Sequence, residues 1–421
     1  MESIKKCNNR DYRELYAVMF MLGVMLFLRD AYGVNIHKYI FLLIIATVSF
    51  IFPIDKTMCL IAFIMPLYVG LPGNYLTLIF LVRFLVEGRK FKLNGYNLVF
   101  CILTGGYIVV QCMITQHTAI AELMFFPGLV LVMFMFAKGI YYDKAKLIVC
   151  YCAGVAALGL IMLVSTLRVY DLSDLLDVSF RLGSSNVDYI NPNIMNVSVD
   201  PNFYGAFVVA ALSTSVPLIV NSTVNKMEKI FLAVCAVVSG CVVLVGLSRA
   251  SVIILLLWGL LYALSQRKAK DFFITLIAIF LCIFLAMTLM PNFVEALVER
   301  FHSEDLASGN GRIELIEKFT VQWWRSIFSI LFGVGLFNCN VHCTPLQVLF
   351  GGGLILVILM LGYVITLRQN KSQGDGSHNS FERILPLLVT GGMMLTIPAI
   401  ALINFMYPII LVGLCGRDVE L

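Results

Sequence analysis

Leu147 to Leu167 reads LIVCYCAGVAALGLIMLVSTL, with Lys144 and Lys146 just before it and Arg168 just after. No charged side chain interrupts the run. A helix rises about 1.5 Å per residue and the hydrocarbon core of a bilayer is about 30 Å thick, so roughly twenty uncharged residues make one crossing. Comparable runs precede it at Leu15 to Leu28, Tyr39 to Ile54, Thr57 to Val82, Leu93 to Ala121 and Leu123 to Ala137. Others follow at Asn202 to Asn225, Ile230 to Ser248, Ala250 to Gln266, Phe272 to Val294, a long stretch ending at Leu367, and Ile384 to Gly416. The 421 residues are 60% hydrophobic and only 13% charged, and a mean hydropathy of +0.92 is too high for a soluble globular domain. The bilayer is the expected solvent.

Two of the runs are too long for one straight helix. Thr57 to Val82 contains Gly70-Leu71-Pro72-Gly73-Asn74, a turn signal that divides it. Ile384 to Gly416 is expected to be a hairpin broken near Pro398. With both split, the reading is an all-α integral membrane protein, residues 1–421 forming one polytopic helical bundle of about 12–14 transmembrane helices. The basic residues near Met1, Lys5, Lys6, Arg10 and Arg13, are not followed by a small-residue cleavage site, so the first helix is expected to be retained.

A cytoplasmic N-terminus then places the basic connections on one side: Arg83-Arg89-Lys90-Lys92, Lys138-Lys144-Lys146, Lys226-Lys229, Arg267-Lys268-Lys270 and Arg368-Lys371-Arg383. Both termini are expected in the cytoplasm. Two large loops, 168–200 and 291–345, fall on the opposite, extracytoplasmic side. The first sets Asp171, Asp174, Asp177, Asp188 and Asp200 against Arg168 and Arg181. In the second, Ile313, Ile316, Phe319, Trp323 and Ile327 recur at helical spacing, predicting an amphipathic interfacial helix near 312–328. The net charge of +5 is explained by this placement, so no nucleic acid is expected as a partner. Most of the twelve cysteines sit inside apolar runs, where Cys behaves as a small hydrophobe. Cys339 and Cys343 share the second loop, where an oxidising compartment would permit a bridge.

Four residues on the extracytoplasmic side are candidates for chemistry. Arg181 lies in the polar stretch RLGSSNVDYINPNIMNVSVDPN; its ordinary reading is a solvated cation beside an Asp. Arg249, in Gly246-Leu247-Ser248-Arg249, is a lone cation between two apolar runs, either functional or snorkelling to the headgroups. Arg312 closes the turn Gly309-Asn310-Gly311, where backbone donors and a planar guanidinium both suit phosphate oxygens; the alternative is a capped surface helix. His342 precedes Phe350-Gly351-Gly352-Gly353 and is a candidate general base, or else a hydrogen-bonded interfacial residue. Asp188, Asp200 and Glu314 are alternative bases. Cys339, His342 and Cys343 lack an evident fourth ligand, so no metal and no cofactor is expected.

Arginines and a base on the outer face of a helical bundle suit a lipid-linked diphosphate, with guanidinium forks holding the leaving group while the base takes a proton from a sugar hydroxyl. The stretches RLG, DPNFYGAFVVAAL, VGLSRASVIILLL, GNGRIELIEKFTVQWW, FGVGLFN and VHCTPLQVLFGGGLILVIL, from Arg181 to Leu361, resemble the O-antigen polymerase and ligase superfamily of bacterial envelope glycosyltransferases (Wzy-type polymerases and WaaL-type ligases). The resemblance implies a glycosyltransferase of the bacterial inner (plasma) membrane. Its donor and acceptor would be undecaprenyl-diphosphate-linked glycans, with Arg181, Arg249 and Arg312 binding the diphosphate and His342 as base. It also implies membrane lipid, a flippase and a chain-length regulator of the same pathway as partners. His342 followed by Gly353 matches the ligase spacing, whereas Cys343 replaces the Asn, Ser or Gln usual there, which favours a polymerase over a ligase. Pro192 stands where the polymerase pattern places a Gly after Arg181. A transporter or flippase of lipid-linked glycan is the reading from a different class, for which charged or broken midplane helices would be the mark.

Overall fold

The computed structural model describes residues 12–88, 91–114, 124–168, 170–171, 173–176, 199–221, 224–266, 268–302, 311–369, 380–397 and 403–416. These form seventeen principal helices: α1 Arg13–Asp30, α2 Lys38–Ile51, α3 Ile54–Leu67, α4 Gly73–Val86, α5 Gly95–Ile114, α6 Phe125–Met135, α7 Lys144–Leu167, α8 Pro201–Asn221 and α9 Lys226–Val245, then α10 Arg249–Ser265, α11 Ala269–Leu289, α12 Pro291–His302, α13 Arg312–Trp324, α14 Ile327–Phe332, α15 Gly352–Gln369, α16 Ser380–Met394 and α17 Ile403–Cys415. Among the described residues there is no β-strand, only an antiparallel bridge between Lys92 and Lys138. The described chain is thus all-α. By length and composition, six helices of the described chain can cross a membrane: Gly95–Ile114, Lys144–Leu167, Pro201–Val220, Lys226–Val245, Ala269–Leu289 and Thr344–Leu367. Six further apolar helices are shorter, at 10–17 residues.

The centre of the bundle is α7. Asp143 caps its start, the carboxylate accepting from the backbone N–H groups of Ala145 (2.9 Å) and Lys146 (3.1 Å). A helix apolar on every side must be surrounded by protein or lipid, and α7 is surrounded chiefly by α3, α8 and α9. Glycines set the closeness of approach: a Cβ on Gly154 would stand 2.2 Å from the Phe63 carbonyl oxygen of α3. Small residues at helix crossings allow such contact inside a membrane. Gly154→Val is therefore expected to force α3 and α7 apart, costing about 3 kcal/mol. Thermal unfolding of the detergent-solubilised protein checks this; an unchanged midpoint would mean the crossing adjusts freely.

Hydrogen bonds sort the connections into two ends. At the end where α1 begins, here called proximal, Tyr12 donates to Asp55 (3.3 Å), Lys146 pairs with Glu228, Arg83 Nε donates to the Ser49 carbonyl (2.7 Å) and Tyr142 to the Leu414 carbonyl (2.9 Å). At the distal end Arg29 and Asp30 form a fully buried pair (Nε to Oδ1 2.6 Å), Arg29 also donates to the Gly70 carbonyl, and Arg168 donates to the Ala31 carbonyl (2.6 Å). The turn at Gly70–Pro72 separates α3 from α4, as the Gly-Leu-Pro-Gly sequence implies. The last apolar run is likewise two helices, α16 and α17; Pro398 lies outside the described residues.

One expectation is corrected. The amphipathic helix expected near 312–328 ends at Trp324. Ser326 is extended and its Oγ accepts from Ser329 N (3.0 Å), so a local side-chain cap stops one helix and starts α14. Ile327, placed on the apolar stripe from spacing, is 78% exposed on that second helix. Within the run Phe272 to Val294, Pro291 opens α12 at the residue where the second loop was expected to begin, a position where its missing N–H costs nothing.

Candidate functional site at the distal end

Arg249 is the first residue of α10. Ser248 caps that helix, its Oγ accepting from Ser251 N (3.4 Å), lying 2.6 Å from Ser251 Oγ and donating to Asn202 Oδ1 of α8 (3.0 Å). Asn202 N in turn donates to Asp200 Oδ1 (2.8 Å). This knot fixes the starts of α8 and α10 side by side. A Cβ on Gly205 would fall 1.7 Å from Ser251 Oγ, which is why a glycine stands there.

α12 packs against α9 and the start of α10. Its buried residues Phe293, Ala296, Leu297 and Arg300 follow helical spacing, so one stripe packs down and Arg300 goes with it. The two arginines exchange backbone contacts: Arg249 Nη1 donates to the Arg300 carbonyl (2.6 Å), and Arg300 Nη1 to the Leu247 carbonyl (2.9 Å). Leu247 adopts φ +49°, a left-handed conformation disfavoured for a branched residue; such strain is kept where surroundings impose it. A cation at the positive end of a helix is unfavourable by about 0.3–1 kcal/mol, and an anion there is favourable by a similar amount.

Arg312 repeats the arrangement, as the first residue of α13 after Gly311 in the left-handed region (φ +75°). α13 packs through Phe319 and Trp323 onto Cys339, Val341 and Phe350, so its helix and the His342 segment form one small core. His342 itself is half-buried. Two residues on, Thr344 donates to the Ile397 carbonyl beyond α16 (2.6 Å).

After Thr344 the backbone runs through a π-helical turn, Gln347–Gly351, and breaks at Gly353 (φ 70°, ψ 179°) before α15 continues. The break frees carbonyl groups, and each named one has a partner. Gln111 Nε2 donates to the carbonyls of Phe332 (2.6 Å) and Gly351 (2.7 Å), and Tyr107 OH reaches those of Phe332 (3.0 Å) and Gly352 (2.8 Å). Val334 N and Gly335 N donate to Phe350 and Gly351 (both 2.9 Å). Glycine is needed at 333 and 353 because a Cβ would stand 2.2 Å from Gly351 O and 2.3 Å from Leu331 O respectively.

The structure therefore brings Arg249 to Arg300, and the Arg312 helix to the His342 segment. Both groups attach to the distal end of α16: Met393 lies beside the Gly205–Ser251 contact, and Ile397 receives Thr344. Arg181 and Asp188 lie outside the described residues. Sequence reading missed Arg300, Gln111, Tyr107 and the Arg29–Asp30 pair. The α12 periodicity was a usable signal for Arg300, and a lone amide in an apolar run for Gln111. Cys339 and Cys343 are free thiols. Burial pushes the Cys339 thiol up to about 11, so a polar maleimide near neutral pH is expected to modify half-buried Cys343 and spare Cys339 until the protein unfolds. Mass spectrometry of the labelled chain decides it; equal labelling would mean the small core opens readily.

No protein-family model, curated protein or solved structure matches the chain.

Proposed function

We propose that the chain is a polytopic membrane glycosyltransferase that polymerises undecaprenyl-diphosphate-linked oligosaccharide repeat units, with the distal end facing away from the cytoplasm. The observation that carries the reading is that Arg249 and Arg312 are each the first residue of a helix at the distal end, with His342 on the segment that packs beneath α13. Guanidinium donors added to helix-start N–H groups favour a multivalent anion such as a diphosphate.

In the proposed step His342 accepts the proton of an acceptor sugar hydroxyl. The hydroxyl oxygen attacks the anomeric carbon of the donor, the bond from that carbon to the diphosphate oxygen breaks, and the electron pair leaves with the diphosphate. Arg249 and Arg312 stabilise the charge that gathers there. Arg181 is assigned to the same anion. The broken helix at Gly353 is a feature that transporters also use, but its carbonyls are held by Gln111 and Tyr107 instead of being presented to an ion, which favours the enzyme.

The test is purified protein incubated with lipid-linked repeat units. A ladder of products is expected. Transfer of preformed polymer to a terminal acceptor without a ladder would make the protein a ligase, and no transfer at all, where a known polymerase gives a ladder, would overturn the proposal.

A further inference from the structure

Between α6, α15, α16 and α17, beside the start of α4, lies a cavity of about 270 Å³. No charged side chain lines it, and its two tyrosine hydroxyls are engaged, Tyr68 with Thr77 (2.7 Å) and Tyr363 with the Leu129 carbonyl (2.6 Å). Asn74 is the one amide on the wall, near its distal end, and a water molecule needs several polar partners, so the filling is apolar along the rest. α15 and α16 follow each other in the chain but hardly touch. Between them the cavity opens sideways, past Val364 (55% exposed) and Leu387 (40% exposed), toward the surrounding hydrocarbon. It is a groove, and its length is informative. On α6 and its flanks it runs from Met124 to Phe136, and on α17 from Ile403 to Gly416, which at 1.5 Å per residue is about 20 Å. One leaflet supplies only about 15 Å of hydrocarbon.

We infer that this groove holds the isoprenoid chain of a polyprenyl lipid, entering between α15 and α16 with its head at the distal mouth. An acyl chain confined to one leaflet would leave part of the groove unfilled and lose the contacts there. The mouth near Met124 and Ile403 lies at the distal end, the end where Thr344, two residues past His342, donates to the Ile397 carbonyl. The inference rests on the lipid-linked donor proposed above and adds where its tail lies.

The test uses the full chain in lipid nanodiscs with undecaprenyl monophosphate carrying a diazirine at its far end, and in parallel a phosphatidylglycerol with a diazirine at the end of one acyl chain. Illumination is expected to place the polyprenyl adducts on proximal groove residues such as Phe136 and Gly413, at least tenfold more than the acyl probe does. Gly128→Phe, which fills the groove, and Leu387→Trp, at the exposed opening, are each expected to reduce that labelling about tenfold. Equal labelling by the acyl probe, or polyprenyl adducts confined to other lipid-facing surfaces such as α11, would overturn the inference. Product ladders from the same preparation separate the two ideas. Transfer without groove labelling removes the groove and leaves the enzyme, whereas groove labelling without transfer upholds the groove and removes the polymerase.

Discussion

Cells whose native copy is replaced by Arg249→Ala accumulate single repeat units where wild type makes long polysaccharide: that is the expected result, with chain length read on a gel and protein abundance checked in the membrane fraction. Removing one donor from a site that stabilises developing charge costs about 10²–10³ in rate, enough to collapse a polymer that needs many successive transfers. Arg312→Ala is expected to act in the same direction. His342→Ala, if it removes the base, costs about 10²–10⁴. Arg249→Lys is the sharper probe, because a lysine keeps the charge but loses the planar fork; it too is expected to shorten the chains. Wild-type chain length in all four variants, at normal abundance, would remove the site from consideration. Long polymer that fails to reach its final acceptor would reassign the protein as a ligase.

The largest expected effect on stability belongs to the distal pair. Arg29 and Asp30 are 0% and 2% exposed, joined by two hydrogen bonds of 2.6 and 2.7 Å, with the Phe41 ring 4.7 Å from the guanidinium carbon. Asp30→Ala leaves a buried cation with its chief counter-charge gone, which costs about 3–5 kcal/mol. The unfolding midpoint should fall on the order of 5 °C. Replacing both members, Arg29→Met with Asp30→Leu, is expected to recover most of the loss, since a matched apolar pair carries no desolvation penalty. A double variant as unstable as the single one would show that the arginine's bonds to the loop carbonyl, and not its ion pair, hold this end together.

What could be read from the sequence divides along physical lines. Spans such as Leu147 to Leu167 are decided by local composition against a fixed bilayer thickness, so α7 stands within three residues of its expected start. Gly70-Leu71-Pro72-Gly73 carries its own turn chemistry, and the division of α3 from α4 follows from it. The break at Ser326 was hidden because the hydrophobic spacing runs on through Ile327 while a serine side chain takes the backbone out of the helix. Arg249 and Arg312 were visible as charges beside apolar runs. Their placement at helix starts depends on the Ser248 and Gly311 caps, local features that a sequence also displays. Arg300 and Gln111 show in the sequence only as a position on the α12 periodicity and a lone amide in an apolar run, and what they do is hidden because each acts on backbone far away in the chain, Leu247 and Gly351. A window of neighbouring residues contains no trace of such a contact.

The bend at Gly353 has a mechanical consequence. A continuous rod from Thr344 to Gln369 would transmit any push on the His342 loop straight down its axis. With the backbone turned at Gly353 and the loose ends bound to Gln111 and Tyr107, the load passes sideways into α5 instead. The lower part of α15 acts as a fixed post, and the loop above it is hung from a neighbouring one.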